Sequence, residues 1–201
     1  MAAIHPPSSN HSEPLARCGH CSAFVNGKIF MYGGLITGPW LTQPPTVVDV
    51  FDPATEKWDQ ITTTGPPPPG FIYASCAVIG LYLYAFAGGD GSSYFNNMQE
   101  LNTTNLKWNQ LNDANQGEAP MAKAGAAMVS YNQRILITVG GYGILPYHHR
   151  SGTKYIPDPN FPVQGWTNEL LYFDVNSSEL YVQLHSFTLF TSLHTAAAHC
   201  Q

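Results

Sequence analysis

The side chains able to do chemistry fall in four places. Cys18-Gly19-His20-Cys21 has the spacing shared by zinc and redox cysteine pairs. A structural zinc needs a second pair at similar spacing, and Cys76 and Cys200 stand alone. Residues 19–25 also read as a strand, on which Cys18 and Cys21 face opposite ways. Small buried cysteines are therefore expected rather than a metal centre, with His20 as a satisfied structural histidine. His148-His149 is the second place. Adjacent side chains of an extended segment point apart and no third ligand is near, so solvated loop histidines are expected. Asp90-Gly91-Ser92-Ser93 is the third, a turn carrying hydroxyls with no identifiable partner base. There is no Gly-x-Ser-x-Gly elbow, no phosphate-cradling glycine loop and no Cys/Tyr/His copper set. No catalytic residue, metal or cofactor is expected.

The fourth place is a segment built for recognition. Residues 142–168 carry Tyr142, Tyr147, Tyr155, Phe161 and Trp166, with His148, His149, Arg150 and Lys154. Aromatics together with Arg are the side chains that anchor interfaces. Tyr142 and Trp166 flank the segment where it leaves and rejoins the fold, which makes them the candidates for ligand contact. Phe161 and Tyr155 read as rings that pack the segment down.

The scaffold under these residues must be turn-rich. The chain has 201 residues, with 18 Gly and 16 Pro and only 10% charged side chains. An average domain has roughly 25% charged residues. Helical bundles need Glu and Lys on their wet faces and are excluded. A net charge of −5 with eight scattered Lys and Arg gives no nucleic-acid surface. No apolar run is long enough to span a bilayer, and no basic-then-apolar leader opens the sequence. No membrane partner is expected, and the expected location is the cytoplasm or nucleus.

Three segments repeat one order of signals. A small-residue strand is followed by a turn, an apolar strand ending in Gly-Gly, a variable loop, another apolar strand, a polar turn and an aromatic residue. The Gly-Gly pairs are Gly33-Gly34, Gly88-Gly89 and Gly140-Gly141, spaced 55 and 52 residues apart. The closing aromatics read as Trp58, Trp108 and Tyr181. Asn26-Gly27 is a two-residue hairpin signal. A period near 50 with four short strands per unit is that of a propeller blade. An ordinary β-sandwich with glycine-rich turns is the alternative, disfavoured by three ordered copies. The expected division is a disordered lead over 1–13, then blades over 14–65, 66–118 and 119–185. The third carries the 142–168 insertion, and 186–201 opens a fourth, incomplete blade. The loops after each Gly-Gly, at 35–45, 90–97 and 142–168, should gather on one face. Three blades would leave two sheet faces bare, predicting a chain that is marginal, aggregation-prone or completed by another chain.

These repeats resemble the kelch family over roughly residues 14–200. The resemblance implies an all-β fold, a partial kelch β-propeller of about three four-stranded blades plus the opening strand of a fourth. Within that family, Gly140-Gly141-Tyr142-Gly143-Ile144-Leu145-Pro146, followed by Gly165-Trp166-Thr167-Asn168, is similar to kelch domain-containing proteins 1 and 2 and their relatives. That branch implies a substrate receptor of cullin-RING ubiquitin ligases, reading C-terminal degrons that end in glycine, with elongin and cullin as partners of a full-length form. Carried over, Tyr142 and Trp166 match pocket aromatics and Lys123 matches a pocket lysine. Gln164 stands where the family pattern has Arg, which removes a positive charge. The alternative from the same resemblance is an interaction scaffold without a ligase role, in trafficking or cytoskeletal assembly.

Overall fold

The computed structural model describes residues 13–36, 41–42, 44–111, 120–145, 148–151, 154–157 and 163–183. The expected disordered lead lies almost wholly outside them, and so does the expected opening of a fourth blade. Among the described residues every regular element is a strand, and no helix is long and apolar enough to cross a membrane.

The first repeat supplies β1 (Arg17–Cys18), β2 (Cys21–Val25), β3 (Lys28–Tyr32), β4 (Leu35–Ile36), β5 (Leu41–Thr42), β6 (Val47–Asp52) and β7 (Lys57–Thr62). The second supplies β8 (Ser75–Ile79), β9 (Tyr82–Phe86), β10 (Met98–Asn102) and β11 (Lys107–Gln110). The third supplies β12 (Lys123–Ala124), β13 (Ala127–Tyr131), β14 (Ile135–Val139), β15 (Tyr142–Leu145), β16 (His148–Ser151), β17 (Lys154–Pro157), β18 (Val163–Trp166), β19 (Leu170–Asp174) and β20 (Glu179–Gln183). Each repeat folds into one antiparallel four-stranded sheet. The orders are β2-β3-β6-β7, β8-β9-β10-β11 and β13-β14-β19-β20, so strands that follow one another within a blade pair with one another. These are the three blades expected from the repeats.

The turns explain why the repeats close this way. Asn26 and Gly27 both take positive φ, 48° and 79°, as the primed hairpin turn requires. The turn into the fourth strand is one device used three times. The Oδ1 atoms of Asp52, Asn102 and Asp174 accept from the amides of Ala54, Thr104 and Asn176 at 2.9–3.0 Å. Four residues after each acceptor the chain takes positive φ, at Glu56, Leu106 and Ser178. Two residues further come Trp58, Trp108 and, in the third blade, Leu180. The strand register agrees, pairing Phe51 with Trp58, Leu101 with Trp108 and Phe173 with Leu180. Tyr181 was the expected counterpart of the tryptophans. It falls one residue late, opposite Tyr172, and so belongs to the other sheet face.

The first two Gly-Gly pairs join blade to blade. Gly34 N donates to Phe71 O at 2.7 Å and Gly88 N to Lys123 O at 2.8 Å, each reaching the segment that leads into the next blade. A Cβ on Gly33 would stand 2.1 Å from Phe71 O, and its φ is +70°. Only glycine allows that approach.

Strand alternation gives every blade two faces. Phe30, Tyr32, Val48 and Val50 of blade 1 pack with Leu83, Ala85, Leu101 and Trp108 of blade 2. Tyr84, Phe86 and Met98 on the opposite face of blade 2 join Leu136, Leu171 and Phe173 of blade 3. Blade 2 is thus covered on both sides. Ser75 Oγ donates to Ala126 O at 2.7 Å, tying blade 2 to blade 3.

Two cysteine expectations change. The strand expected over 19–25 is interrupted at Gly19-His20, so Cys18 lies in β1 and is exposed rather than buried, and His20 is exposed as well. Cys21, on the blade 1 face that meets blade 2, is disulfide-bonded to Cys76 of β8, with Cα atoms 5.9 Å apart. The partner of Cys21 is therefore one repeat away, not three residues away. Small side chains on β2 and β8 allow the two first strands this close approach.

Candidate recognition site at the loop rim

The loops after the Gly-Gly pairs do gather. A cavity of about 350 Å³ is lined by Leu35 from the first loop, Ser92, Ser93 and Tyr94 from the second, and Gln164 from the third. Tyr73, in the lead-in to blade 2, closes another side. Three small strands hold the third wall. β15 pairs with β12 on one side and β18 on the other, which sets Tyr142 directly across from Trp166.

That register produces a ladder of rings. Tyr142 and Trp166 meet edge to face with centroids 5.1 Å apart. Tyr94 meets Tyr142 in the same manner at 6.2 Å. Edge-to-face packing holds each ring in a fixed orientation. The ladder climbs from Tyr94 at the cavity to Trp166 at the outside, where Trp166 is 78% exposed. An exposed indole held against a tyrosine is a preordered apolar surface, well suited to an extended peptide.

Lys123 goes elsewhere. It is fully buried beneath the rim, with Nζ 2.8 Å from Glu169 Oε2 and 5.9 Å from the Phe86 ring centre. Glu169 Oε1 accepts from the Met121 amide at 3.2 Å, and the Glu169 amide bonds Thr167 Oγ1 at 3.0 Å. The pair therefore braces the strand that precedes blade 3 against the strand leading into β19. Arg17 occupies the matching lead-in position of blade 1, where it meets Asp49 at 2.8 Å with both side chains buried. Of the three expected binding residues, the fold brings Tyr142 and Trp166 together and sets Lys123 under them, its ammonium turned to a carboxylate.

Polar groups complete the lining. Asp90 Oδ1 accepts from Ser92 N, Ser92 Oγ and Ser93 N at 2.7–2.8 Å. Those donors hold its carboxyl below the usual carboxylate range, so it is ionised at neutral pH. The Cys18 sulfur lies 3.9 Å from the Tyr73 hydroxyl. Hydrogen bonding to Cys18 raises the Tyr73 pKa, which keeps that hydroxyl protonated. Gln164, an uncharged amide, reaches the lining.

Tyr94 was not among the expected site residues. The signal was present, since it is one of two aromatics, with Phe95, in the loop that follows the second Gly-Gly. His148-His149, Arg150 and Tyr155 lie on the β16–β17 hairpin, whose backbone pairs His149 with Ile156 and Arg150 with Tyr155. Phe161 and Tyr147 lie outside the described residues. Among the described residues, no group of three or more His, Cys, Asp or Glu could hold a metal ion.

Comparison with known proteins gives these features relatives. A sequence model of the KLHDC2/KLHL20/DRC7 Kelch-repeats domain matches residues 2–179. Kelch domain-containing protein 2 of Homo sapiens is 26% identical over 178 residues, covering 82% of this chain and 43% of that protein. Acyl-CoA-binding domain-containing protein 5 of Arabidopsis thaliana is 27% identical over 129 residues, 64% of this chain and 19% of that protein. Rab9 effector protein with kelch motifs of Gallus gallus is 32% identical over 105 residues, 50% of this chain and 28% of that protein. The chain spans less than half the length of these curated relatives.

Proposed function

Because this chain belongs to the KLHDC2/KLHL20/DRC7 kelch-repeat family, we propose that it is a protein-interaction module that takes an extended peptide along the Tyr94–Tyr142–Trp166 ladder. The observation that carries this reading is the exposed Trp166 ring held edge to face on Tyr142, above a cavity lined from all three blades. Within that reading, the peptide is a C-terminal segment and the module is of the substrate-receptor type of a cullin-RING ubiquitin ligase, working in the cytoplasm or nucleus. Tyr142 and Trp166 touch the ligand. Lys123 positions them through its buried pair with Glu169. The Ser92 and Ser93 hydroxyls and the Gln164 amide offer polar partners for a peptide end.

A second reading is favoured by a specific observation. Gln164 is neutral, Lys123 is committed to Glu169, and the exposed Asp90 carboxylate takes the Ser92 and Ser93 amides. That lining offers little to a free carboxylate, which is bound most strongly by charge-assisted donors. An interaction scaffold that binds internal peptide segments fits such a cavity, in the manner of a trafficking or cytoskeletal adaptor.

One titration separates the two. Peptides ending in a free glycine carboxylate are compared with the same peptides amidated. The receptor reading predicts that the acids bind and the amides do not. Equal binding by both selects the scaffold. Trp166→Ala should weaken either by about 2 kcal/mol, the size of an anchor residue. Recovery of elongin and cullin subunits with a full-length form is the further test of a ligase role.

A further inference from the structure

Gly19, Tyr73 and Gly125 hold one position of the repeat, two residues before the first strand of each blade sheet. All three have left-handed backbone, with φ of 66°, 54° and 68°. They are also joined in series across the blades. Tyr73 N donates to Gly19 O at 2.7 Å, and Gly125 N donates to Tyr73 O at 2.8 Å. Blades 1 and 3 therefore fix the backbone of this position in blade 2 from both sides. The conformation suits glycine, which blades 1 and 3 have. Blade 2 has a tyrosine, the one aromatic with left-handed φ among the described residues. A bulky side chain is strained there.

The ring adds nothing to the core. Tyr73 belongs to neither interblade cluster and is 49% exposed. Its ring lies over Gly19, where an added Cβ would stand 2.9 Å from Tyr73 Cε1, and its hydroxyl reaches the Cys18 sulfur. From that seat Tyr73 lines the rim cavity together with Leu35 and Tyr94. Backbone strain that packing does not require, at a residue lining a cavity, points to a ligand contact.

We infer, on the reading of the rim as a peptide site, that Tyr73 is a specificity-determining contact whose ring sets the width of the cavity on its blade 1 side. The equivalent positions in blades 1 and 3 carry no side chain. A glycine at 73 would likewise leave the volume of a phenol ring open. The tyrosine closes that volume to bulky side chains of the ligand and gives a smaller one an apolar wall. Stability and recognition are therefore opposed at this residue. Glycine relieves the left-handed backbone while it widens the cavity.

The test compares the unmodified chain with Tyr73→Gly, Tyr73→Phe and Trp166→Ala, by thermal melting and by binding to one library of immobilised peptides. Tyr73→Gly should melt no lower than the unmodified chain. It should bind the peptides that the unmodified chain selects about tenfold more weakly, and take up peptides with larger side chains. Tyr73→Phe keeps the ring and should keep the selection. A readout without substitution is alkylation of Cys18 by iodoacetamide, followed by peptide mass spectrometry. That thiol is exposed beside the ring, so a selected peptide should slow its alkylation. A lower melting temperature for Tyr73→Gly overturns the inference, because the ring would then be a structural support. Unchanged selection by Tyr73→Gly, beside lost binding by Trp166→Ala, overturns it too and leaves the rim reading standing. Tyr73→Phe losing as much as Tyr73→Gly, or Cys18 alkylated equally fast with and without peptide, counts against it as well. A chain that selects no peptide overturns the rim reading and this inference together.

Discussion

Trp108 and Trp166 show two uses of one residue type in one repeat architecture. Trp108 is fully buried in the seam between blades 1 and 2, its ring 5.1 Å from that of Tyr32. Trp166 stands on the loop rim, supported on one side by Tyr142 and open on the other. The seam spends its aromatic on burial, where each removed apolar area stabilises the fold. The rim keeps its aromatic in water, where only a ligand can cover it. Seams hold this molecule together, and the rim is where the proposed function puts its ligand. Each substitution below should disturb one region and spare the other.

The largest expected effect is at the seam. Trp108→Ala removes a buried ring and leaves a cavity, and should cost about 3–5 kcal/mol in urea denaturation. Trp58 has the matching position on the face of blade 1 turned away from blade 2 and is half-buried, against Phe51. Trp58→Ala should cost clearly less. Equal losses would mean that the seam is no more tightly packed than the end face. The buried ion pair under the rim comes next. Lys123→Met strands the Glu169 carboxylate, and should cost about 3–5 kcal/mol as broken buried pairs do. Adding Glu169→Leu should recover most of that loss. An additive double variant would remove the pair from the account.

The disulfide is smaller and sharpens the same contrast, because it staples blade 1 to blade 2. Cys21→Ser should lower stability by about 2–4 kcal/mol under oxidising conditions, the typical contribution of a disulfide. In reductant the same substitution should cost clearly less, only the cost of a hydroxyl in a buried seam position. Smallest is the exposed pair of Arg134 with Asp174, whose Nε–Oδ2 distance is 2.8 Å. Arg134 holds the Asp174 carboxyl below its usual range. Its contribution is therefore present above the unfolded carboxylate value and is lost in acid, as pH falls through the depressed native one. Arg134→Gln should leave the melting midpoint at pH 7 almost unmoved, since exposed pairs contribute little. A large shift there would contradict the seam as the main source of stability.

The repeat was legible in the sequence wherever backbone geometry forces a residue type. Glycine is required at Gly33 and Gly88, where a Cβ would strike the lead-in to blade 2, and Asn-Gly where both turn residues need positive φ. Those requirements gave the blades and the gathering of the loops. The third closing aromatic was misplaced because Tyr181 and Leu180 are neighbours, and a strand assigns faces by single-residue register. The Asx turn decides it, but its acceptor changes identity between Asp52, Asn102 and Asp174. The Cys21 partner was hidden because close approach between first strands is a tertiary fact, while the nearby Cys18 offered a local pattern. Lys123 looked like a site cation from its motif. Its burial depends on Glu169, distant in sequence, which the motif does not contain. Tyr94 was passed over for a similar reason, since its loop is short and its neighbour Tyr142 comes from another blade.

The division between seam and rim is tested most directly by Trp166→Ala with two readouts on the same sample. One is the melting midpoint, and the other is binding to a library of immobilised peptides. The account predicts an unchanged midpoint together with loss of the peptides that the unmodified chain selects. A fall in midpoint comparable to that of Trp108→Ala, or peptide selection that survives the substitution, would contradict it.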